Sequence, residues 1–321
     1  MNSSNPTTTT RAAVERPTPS AVERPTRPAV ERPGRLNVGV ISAGRVGSVI
    51  GAALQRAGHR VVAVAAVSAA SRRRAAQYMP DAAVLAPDAV GSVADLLVLA
   101  VPDDALAALV EGLVAADAVR SGQFVAHTSG RFGIDVLAPA TAVGVLPMAL
   151  HPVMTFAGTS VDLERLSGVS FGVTAPPVLR PVAESLVLEM GGEPVWISEE
   201  DRALYHAALA HGANHLVAIV ASSMELLTVA GVEHPQRLLG PLLSAALDNA
   251  LRFGDAGLTG PVVRGDAGTL AAHLDAVEAV APEIAAAYAA MARLTADRAL
   301  AAGLLSTSDA TALLGVLGRR P

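Results

Sequence analysis

A glycine-containing turn at residues 42–47 has the most specific spacing for binding chemistry in this sequence: Ser42-Ala43-Gly44-Arg45-Val46-Gly47. The apolar run before it predicts a buried strand over residues 36–41, and the pattern after it predicts a helix over residues 45–57. A strand, a glycine turn and a helix in this order direct the helix N-terminus at the pyrophosphate of a dinucleotide. The fingerprint is Gly-x-Gly-x-x-Gly, and Ser42 occupies its first position. The alternative is a tight strand-to-helix turn that binds nothing.

Hydroxyl and guanidinium groups follow the second predicted strand, about twenty residues past the turn, where such folds bind the ribose. This stretch reads Val67-Ser68-Ala69-Ala70-Ser71-Arg72-Arg73-Arg74. A carboxylate here would favour NAD, whereas Ser and Arg side chains suit the 2′-phosphate of NADP. We therefore predict NADP(H) as the cofactor. The predicted contacts are the six turn residues Ser42, Ala43, Gly44, Arg45, Val46 and Gly47, then Ser68, Ser71 and Arg72, and finally Val101 and Pro102 after a strand over residues 96–101. The alternative is that the three arginines form a solvated helix face.

Two polar residues follow later strands and are candidates for substrate contact. Ser129 belongs to the loop after a strand predicted over residues 124–127, and such carboxyl-end loops meet ligands in open α/β sheets. It would bind a substrate oxygen, or else only form the turn. His151 falls in a long connection predicted over residues 147–168, after a strand predicted over residues 142–146. We predict that His151 contacts substrate, with a solvent-exposed or turn-bonded histidine as the alternative.

A long apolar helix predicted over residues 198–230 carries further polar residues. His206 and Asn214 lie eight residues apart, about 80° around the helix axis. His211 and His215 are spaced by four residues and could ligate a metal, but no third ligand is nearby in the sequence, so we predict no metal. The alternative for all four is a core helix whose polar groups are satisfied.

Arg264 lies in a loop between two predicted helices, Gly260-Pro261-Val262-Val263-Arg264-Gly265-Asp266. Its guanidinium could bind a substrate carboxylate in a bidentate arrangement. An ion pair with Asp266 is the alternative.

The elements that must position these residues change character along the chain. Residues 35–197 alternate between predicted strands and helices, which indicates an α/β fold with a doubly wound parallel sheet. Residues 198–321 contain only predicted helices, over residues 198–230, 235–253, 267–280, 282–302 and 308–317. Residues 1–34 are rich in Pro and Thr and repeat Ala-Val-Glu-Arg-Pro three times, so we predict a disordered tail.

Composition excludes several classes of function. The chain has 321 residues, 51% of them hydrophobic, which suffices for two domains with their own cores. Its net charge of −5 and 3% aromatic residues are unfavourable for binding nucleic acid or an anionic membrane. There is no cysteine, and the N-terminus lacks the apolar segment of a signal peptide. The longest uncharged stretch, residues 203–224, contains too many polar groups for a lipid-facing helix, so we predict a cytoplasmic protein.

Together these residues resemble the Rossmann-plus-helical oxidoreductases related to 6-phosphogluconate dehydrogenase. That group includes ketopantoate reductases, pyrroline-5-carboxylate reductases and F420-dependent NADP reductases. The chain is similar to the branch that joins a Rossmann-like domain to a domain of unknown function, and to the alternative class of ketopantoate reductase. The resemblance covers residues 35 to 317 and depends on six segments: the 42–47 turn, Val101-Pro102-Asp103, His127-Thr128-Ser129-Gly130, His151-Pro152, Leu204-Tyr205-His206-Ala207-Ala208 and the loop at residues 260–266.

The resemblance implies a Rossmann NADP-binding domain at residues 35–197 and a helical substrate and dimerisation domain at residues 198–321. It also implies a homodimer and NADP(H)-dependent reduction of C=O or C=N in a small acid. In related reductases a Lys on the first long helix donates the proton, but all 24 basic residues here are Arg. His206 falls near the position of that Lys, and Asn214 near that of a family Asn.

Hydride transfer to a carbonyl requires a proton donor and fixed dipoles. We therefore predict His206 as the acid, Asn214 and Ser129 as residues that orient the carbonyl, and Arg264 as the carboxylate ligand, from the same or the partner subunit. The predicted reaction is ketopantoate-reductase-like reduction of a small 2-oxo acid. The alternatives are an imine reductase of the pyrroline-5-carboxylate type and a regulatory or scaffold protein that binds NADP without turnover.

Overall fold

The computed structural model describes Met1 and residues 34–318, so the predicted disordered tail lies almost wholly outside the described residues. An eight-stranded sheet has the order β3-β2-β1-β4-β5-β6-β7-β8. Its strands are β1 (Asn37–Ile41), β2 (Arg60–Ala65), β3 (Ala83–Val84), β4 (Leu96–Leu99), β5 (Phe124–His127), β6 (Leu146–Pro152), β7 (Ser170–Thr174) and β8 (Glu193–Trp196).

Helices cover both faces of this sheet. They are α1 (Arg45–Arg56), α2 (Ala69–Tyr78), α3 (Pro87–Val93), α4 (Asp103–Ala115), α5 (Ala138–Ala142), α6 (Ser160–Arg165) and α7 (Arg180–Glu189). One buried cluster includes residues of α1, α2 and α7, and a second includes residues of α3, α4 and α5. The central strands are apolar on both sides because helices cover both, as expected for a parallel sheet. The predicted α/β class and Rossmann-like order are confirmed.

The region around His151 departs from the sequence prediction. Residues 142–146 were predicted as a strand and residues 147–168 as a connection, and both predictions are wrong. α5 ends at Ala142, the chain turns at Gly144 with φ +91°, and β6 then runs from Leu146 to Pro152. Pro147 and Pro152 both lie close to the ends of β6, where a missing N–H donor is tolerated. His151 therefore lies on a strand of the sheet and not in a loop.

The sheet also departs from the predicted all-parallel arrangement at one place. β6 pairs with β7 in antiparallel orientation, with His151 opposite Gly172, and the remaining strand pairs are parallel. The segment between them contains only the short helix α6, and the chain reverses direction through it. The reversal brings Gly172 and Thr174 next to the end of β6.

After β8, the described elements up to residue 318 are helical, with α8 (Arg202–Val229), α9 (Pro235–Phe253), α10 (Ala267–Glu278), α11 (Pro282–Ala301) and α12 (Thr307–Leu317). α10, α11 and α12 share a core that includes Leu270, Leu274 and Leu313. By contrast, only Arg202 of α8 and Leu239 of α9 are buried. Among the described helices, α8 is also the one whose length and apolar composition would allow it to cross a membrane.

Candidate active site

The turn between β1 and α1 keeps the geometry of a dinucleotide-binding turn although its first glycine is missing. Ser42 has φ +80°, the left-handed conformation that a glycine would adopt without strain. The backbone N–H groups of Ser42 and Ala43 both donate to the carbonyl oxygen of Ala65 on β2, at 3.1 and 3.2 Å. The serine therefore forms the tight turn that the fingerprint requires.

The two remaining glycines of the turn have different surroundings. A Cβ on Gly47 would overlap the carbonyl oxygen of Ser42 and lie 2.9 Å from Cβ of Ala100, so only glycine lets α1 pack this closely on the sheet. A Cβ on Gly44 would meet only the Ser42 hydroxyl oxygen, at 3.3 Å. Gly44 is the N-cap of α1 and offers no side-chain cap, so the first N–H groups of the helix remain available to an anion.

The predicted ribose site forms the start of α2. The Ser68 hydroxyl caps this helix and accepts the N–H of Ser71 at 3.1 Å, while the Ser71 hydroxyl donates to the Ser68 carbonyl at 2.8 Å. The Arg72 side chain is exposed and donates to the carbonyl of Ala66 at 3.3 Å. Arg74, which the sequence analysis did not single out, donates through Nε to the Ala43 carbonyl of the glycine turn at 3.1 Å.

These arginines form no salt bridge within the described part of the chain, so their charge is available to a phosphate. Val101 and Pro102 follow β4, and Pro102 is the N-cap of α4. The fit of the turn and of α2 to a phosphorylated dinucleotide is therefore good: an uncapped helix N-terminus, two cationic side chains and no carboxylate at the end of β2.

A second cluster of polar groups lies where the start of α8 meets the sheet. Nδ1 of His151 on β6 is 2.8 Å from the hydroxyl oxygen of Tyr205 on α8, and the two rings are perpendicular with centroids 5.7 Å apart. The His206 ring is also perpendicular to that of His151, with centroids 6.0 Å apart. Tyr205 and His206 thus lie on either side of His151, and we call these three residues the ring cluster.

Two glycines make room for the ring cluster. A Cβ on Gly130, in the loop after β5, would lie 2.7 Å from Cδ2 of His206 and 2.8 Å from Nε2 of His151. A Cβ on Gly172 of β7 would lie 2.6 Å from Cζ of Tyr205 and would overlap its hydroxyl. The loop after β5 therefore approaches the Nε2 side of His151, and β7 approaches the opposite, Tyr205 side.

The loop after β5 is fixed by the buried side chain of His127. Its Nε2 lies 2.7 Å from the carbonyl oxygen of Gly133, and its Nδ1 accepts the N–H of Ser129 at 3.2 Å. The Ser129 hydroxyl oxygen accepts the N–H groups of Arg131 and Phe132, both at 3.2 Å. Ser129 is therefore a turn former, and its hydroxyl proton remains available for a ligand.

Arg202, in the first turn of α8, is a buried cation beneath the ring cluster, with 1% of its surface exposed. Its Nε donates to the Thr174 hydroxyl at 2.7 Å, and its Nη2 donates to the carbonyls of Ala149 and Gly172 at 3.3 and 3.1 Å. Its Nη1 has no hydrogen-bond partner among the described residues. Its Cζ lies 5.7 Å from the centre of the Tyr205 ring.

Burial and this cation determine the protonation states at the site. Desolvation, with the nearby Arg202 charge as a further cause, lowers the pKa of His127 and that of His151 each from 6.5 to about 4, so both are neutral at pH 7. Desolvation also raises the pKa of the Tyr205 hydroxyl, although the Arg202 charge opposes this. Burial lowers the pKa of Arg202, which stays far above 7 because a guanidinium is always protonated in proteins.

The structure brings some predicted residues together and separates others. His206 and His151 meet at the ring cluster, and Ser129 precedes Gly130 in the loop that approaches it. Asn214 lies two turns further along α8, about 12 Å from His206, with an exposed side chain. Arg264 is exposed in the loop before α10, and no contact to the ring cluster is formed in the described chain.

The sequence analysis did not single out Arg202 and Tyr205, which the structure places at and beneath the ring cluster. Their spacing to His206 is i, i+3 and i+4, which places all three on one face of α8, and that pattern could have found them. His211 and His215 form only a contact with each other, with Nδ1 atoms 3.0 Å apart. Among residues 34–318, no group of three metal-ligating side chains stands close enough to hold an ion.

Comparison with known proteins identifies the two parts of the chain. Residues 22–152 match the family model of a Rossmann-like domain, and residues 169–295 match that of a domain of unknown function, DUF2520. The two matches, to a Rossmann-like domain and to a domain of unknown function, agree with the resemblance stated in the sequence analysis. No curated protein matches the sequence.

Three solved structures illustrate the similarity of fold. A Bacteroides fragilis protein described as an NADP oxidoreductase is 22% identical, with TM-score 0.70, and the match covers 82% of this chain and 98% of that one. A reductive aminase from Aspergillus terreus, solved with NADPH and ethyl-5-oxohexanoate, is 17% identical, with TM-score 0.57 and coverage of 89% and 93%. A 1-pyrroline-5-carboxylate reductase from Streptococcus pyogenes is 15% identical, with TM-score 0.56 and coverage of 83% and 98%.

Proposed function

We propose that this protein is an NADP(H)-dependent oxidoreductase that reduces the carbonyl group of a small 2-oxo acid. The observation that carries this proposal is that the glycine turn and the ring cluster lie at one edge of one sheet. The turn follows β1, Gly130 follows β5, and His151 ends β6, and these strands are linked in parallel through β4. Rossmann folds bind a dinucleotide along this edge.

The cofactor would be held by the chain as follows. The first turn of α1 would bind the pyrophosphate, and Arg72 and Arg74 would neutralise the 2′-phosphate. The bound dinucleotide supplies the hydride. Its nicotinamide end would face the loop at residues 128–130, because that loop lies beyond β4 on the side away from β2.

The electrostatics of the ring cluster favour a carbonyl substrate over a cationic iminium. His151 and His127 are neutral, and Arg202 is a buried positive charge that forms no salt bridge with a carboxylate of residues 34–318. Positive potential stabilises the oxyanion that develops when a carbonyl is reduced, and it destabilises a bound cation. An imine substrate remains the second candidate, because the reductive aminase and the pyrroline-5-carboxylate reductase share the fold.

We further propose that two chains form a homodimer through α8 and α9, in a cytoplasmic protein. Both helices expose large apolar side chains, which a second copy would cover in place of lipid: Leu216, Val217, Ile219, Leu238, Leu242, Leu247 and Leu251. Apolar patches of this kind mark interfaces. The dimer would also let Arg264 and Asn214 reach the site of the partner.

Matched substitutions test the dimer. Leu251 on α9 and Val178 before α7 are equally exposed, at 80% and 81%. We expect Leu251→Glu to yield monomers in analytical ultracentrifugation, because it places a charge in the interface, and Val178→Glu to leave the dimer intact. A wild-type monomer at working concentrations would refute the assignment.

The activity is tested by NADPH fluorescence binding together with NADPH oxidation assays on ketopantoate, other 2-oxo acids and pyrroline-5-carboxylate. Oxidation with a 2-oxo acid supports the proposal, and oxidation with the imine alone supports the second candidate. Binding without oxidation of any substrate would indicate a protein that only senses the dinucleotide. His206→Ala examines the acid predicted from the sequence: loss of turnover supports His206 as the proton donor, and unchanged turnover excludes it in favour of another donor at the ring cluster.

A further inference from the structure

The Tyr205–His151 hydrogen bond joins two groups that are both neutral at pH 7. The Tyr205 hydroxyl keeps its proton at pH 7, because burial raises its pKa, and it is 2.8 Å from Nδ1 of His151. A neutral imidazole has one protonated and one unprotonated nitrogen. A tyrosine hydroxyl can donate or accept, and when Tyr205 donates to Nδ1 the proton of His151 is on Nε2.

Nε2 of His151 is the ring nitrogen that does not contact Tyr205. It lies on the side of Gly130 and His206, and within residues 34–318 it forms no hydrogen bond. A carbonyl oxygen placed beside Gly130 would thus meet an N–H donor whose other nitrogen is already bonded to a hydroxyl.

The charged groups around this pair favour loss of the Tyr205 proton. Arg202 is the nearest cation and acts on both rings, while the carboxylate of Asp103 acts on His151 more weakly than Arg202 does. The Glu199 charge acts on Arg202, but its oxygens accept the N–H groups of Ile134 and Asp135 at 2.7 and 3.3 Å, and within residues 34–318 Arg202 forms no salt bridge. His127 and His206 complete the titratable groups that face His151.

We propose that Tyr205 supplies the proton for the reduced substrate through His151, and that Arg202 is the positioning residue that stabilises the resulting phenolate. This rests on the proposed function, which provides the hydride. As the carbonyl carbon gains hydride, its oxygen takes the electron pair of the double bond. The Nε2–H bond breaks and an O–H bond forms, while the Tyr205 proton moves to Nδ1. His151 ends neutral with its proton on Nδ1, and Tyr205 ends as a phenolate beside Arg202. The Nδ1 proton then returns to Tyr205 while solvent supplies a proton to Nε2, which restores the starting state.

This relay explains why a cation is buried without a carboxylate partner. A paired carboxylate would neutralise Arg202 and remove its influence on a phenolate. An unpaired buried charge is costly for stability, so such a group indicates a functional use.

The chain contains a matched control pair. Tyr288 and His273 have the same geometry, with 2.9 Å between the hydroxyl oxygen and Nδ1 and perpendicular rings 6.1 Å apart. This pair lies on α10 and α11, away from the ring cluster, and no arginine acts on its tyrosine.

The first test needs no turnover. ¹⁵N-edited NMR of the histidine rings at pH 7, assigned with His151→Gln, reports which nitrogen carries the proton. We expect the Nε2–H form of His151 in the full-length protein, and mixed tautomers in Tyr205→Phe. A wild-type His151 protonated on Nδ1 would overturn the relay, whether or not the protein reduces any substrate.

The second test is kinetic. We expect Tyr205→Phe to lower kcat on the 2-oxo acid about 100-fold, the usual contribution of a positioned acid, with an unchanged KM. Tyr288→Phe should leave kcat unaltered. Arg202→Lys should keep most of the rate that Arg202→Gln loses, since lysine retains the charge. An unchanged kcat in Tyr205→Phe refutes the relay. A wild type that reduces no substrate refutes the proposed function, and the NMR measurement of the His151 tautomer then tests the hydrogen-bond arrangement that the relay requires.

Discussion

Gly47→Ala should damage both the fold and cofactor binding. The added Cβ would lie 2.9 Å from Cβ of Ala100 and 3.2 Å from the carbonyl carbon of Ser42, and it would overlap the Ser42 oxygen, whereas ordinary contacts begin at 3.4 Å. These neighbours are main chain or Cβ atoms, so no flexible side chain can move away and the turn itself must shift. Overpacking of this kind costs about 1–3 kcal/mol. At roughly 2–4 °C per kcal/mol, Tm should fall by several degrees.

Two further glycine substitutions separate stability from binding. Gly44→Ala meets only the Ser42 hydroxyl at 3.3 Å, so we expect Tm to change little. Its methyl group would nevertheless stand at the N-terminus of α1, where a pyrophosphate must approach, and should weaken NADPH binding by about tenfold or more, or ~1.4 kcal/mol. Gly112→Ala lies inside α4 with no atom within 4 Å of the new Cβ, and should add about 0.5–1 kcal/mol of stability without affecting NADPH.

Differential scanning fluorimetry and NADPH fluorescence titration on the three variants provide the assay. Gly47→Ala should lower both Tm and the affinity for NADPH. Gly44→Ala should lower only the affinity for NADPH, and Gly112→Ala should lower neither. Equal NADPH affinity in Gly44→Ala and wild type would refute the assignment of this turn as the pyrophosphate site. Full stability in Gly47→Ala would refute the steric argument itself.

Three other predictions concern single interactions. Ser42→Gly removes a left-handed serine at φ +80° and should raise stability by about 1 kcal/mol; a lower Tm in thermal unfolding would contradict this. The folded pKa of His127, about 4, lies below its unfolded value of 6.5, so its contribution to the free energy of unfolding, on the order of 3 kcal/mol, is present above pH 6.5 and lost as the pH falls towards 4. His127→Gln should therefore flatten the pH dependence in urea titrations, and an unaltered slope would count against it. Thr174→Val removes the acceptor of Arg202 Nε and should cost about 1–3 kcal/mol in urea unfolding, whereas Thr295→Val, at an exposed helix position, should cost far less.

Local patterns predicted the elements that depend on neighbouring residues. α9 was predicted with the same bounds as observed, because Pro235 marks its first turn and Gly254, at φ +57°, follows its last residue. The strands β1, β4 and β5 were found because their apolar runs are bounded by turn residues. The error at β6 arose where prolines, which usually exclude a strand, lie at both ends of one.

The sequence by itself determined the α/β class, the strand–turn–helix around residues 42–47 and the cationic stretch at residues 68–74, since each depends on residues close together in the chain. Only the tertiary structure decided the ring cluster. His151 and Tyr205 are 54 positions apart, and Arg202 reaches back to carbonyls on β6 and β7. Their meeting depends on the antiparallel pairing of those two strands and on the space left by Gly130 and Gly172, which no local pattern encodes.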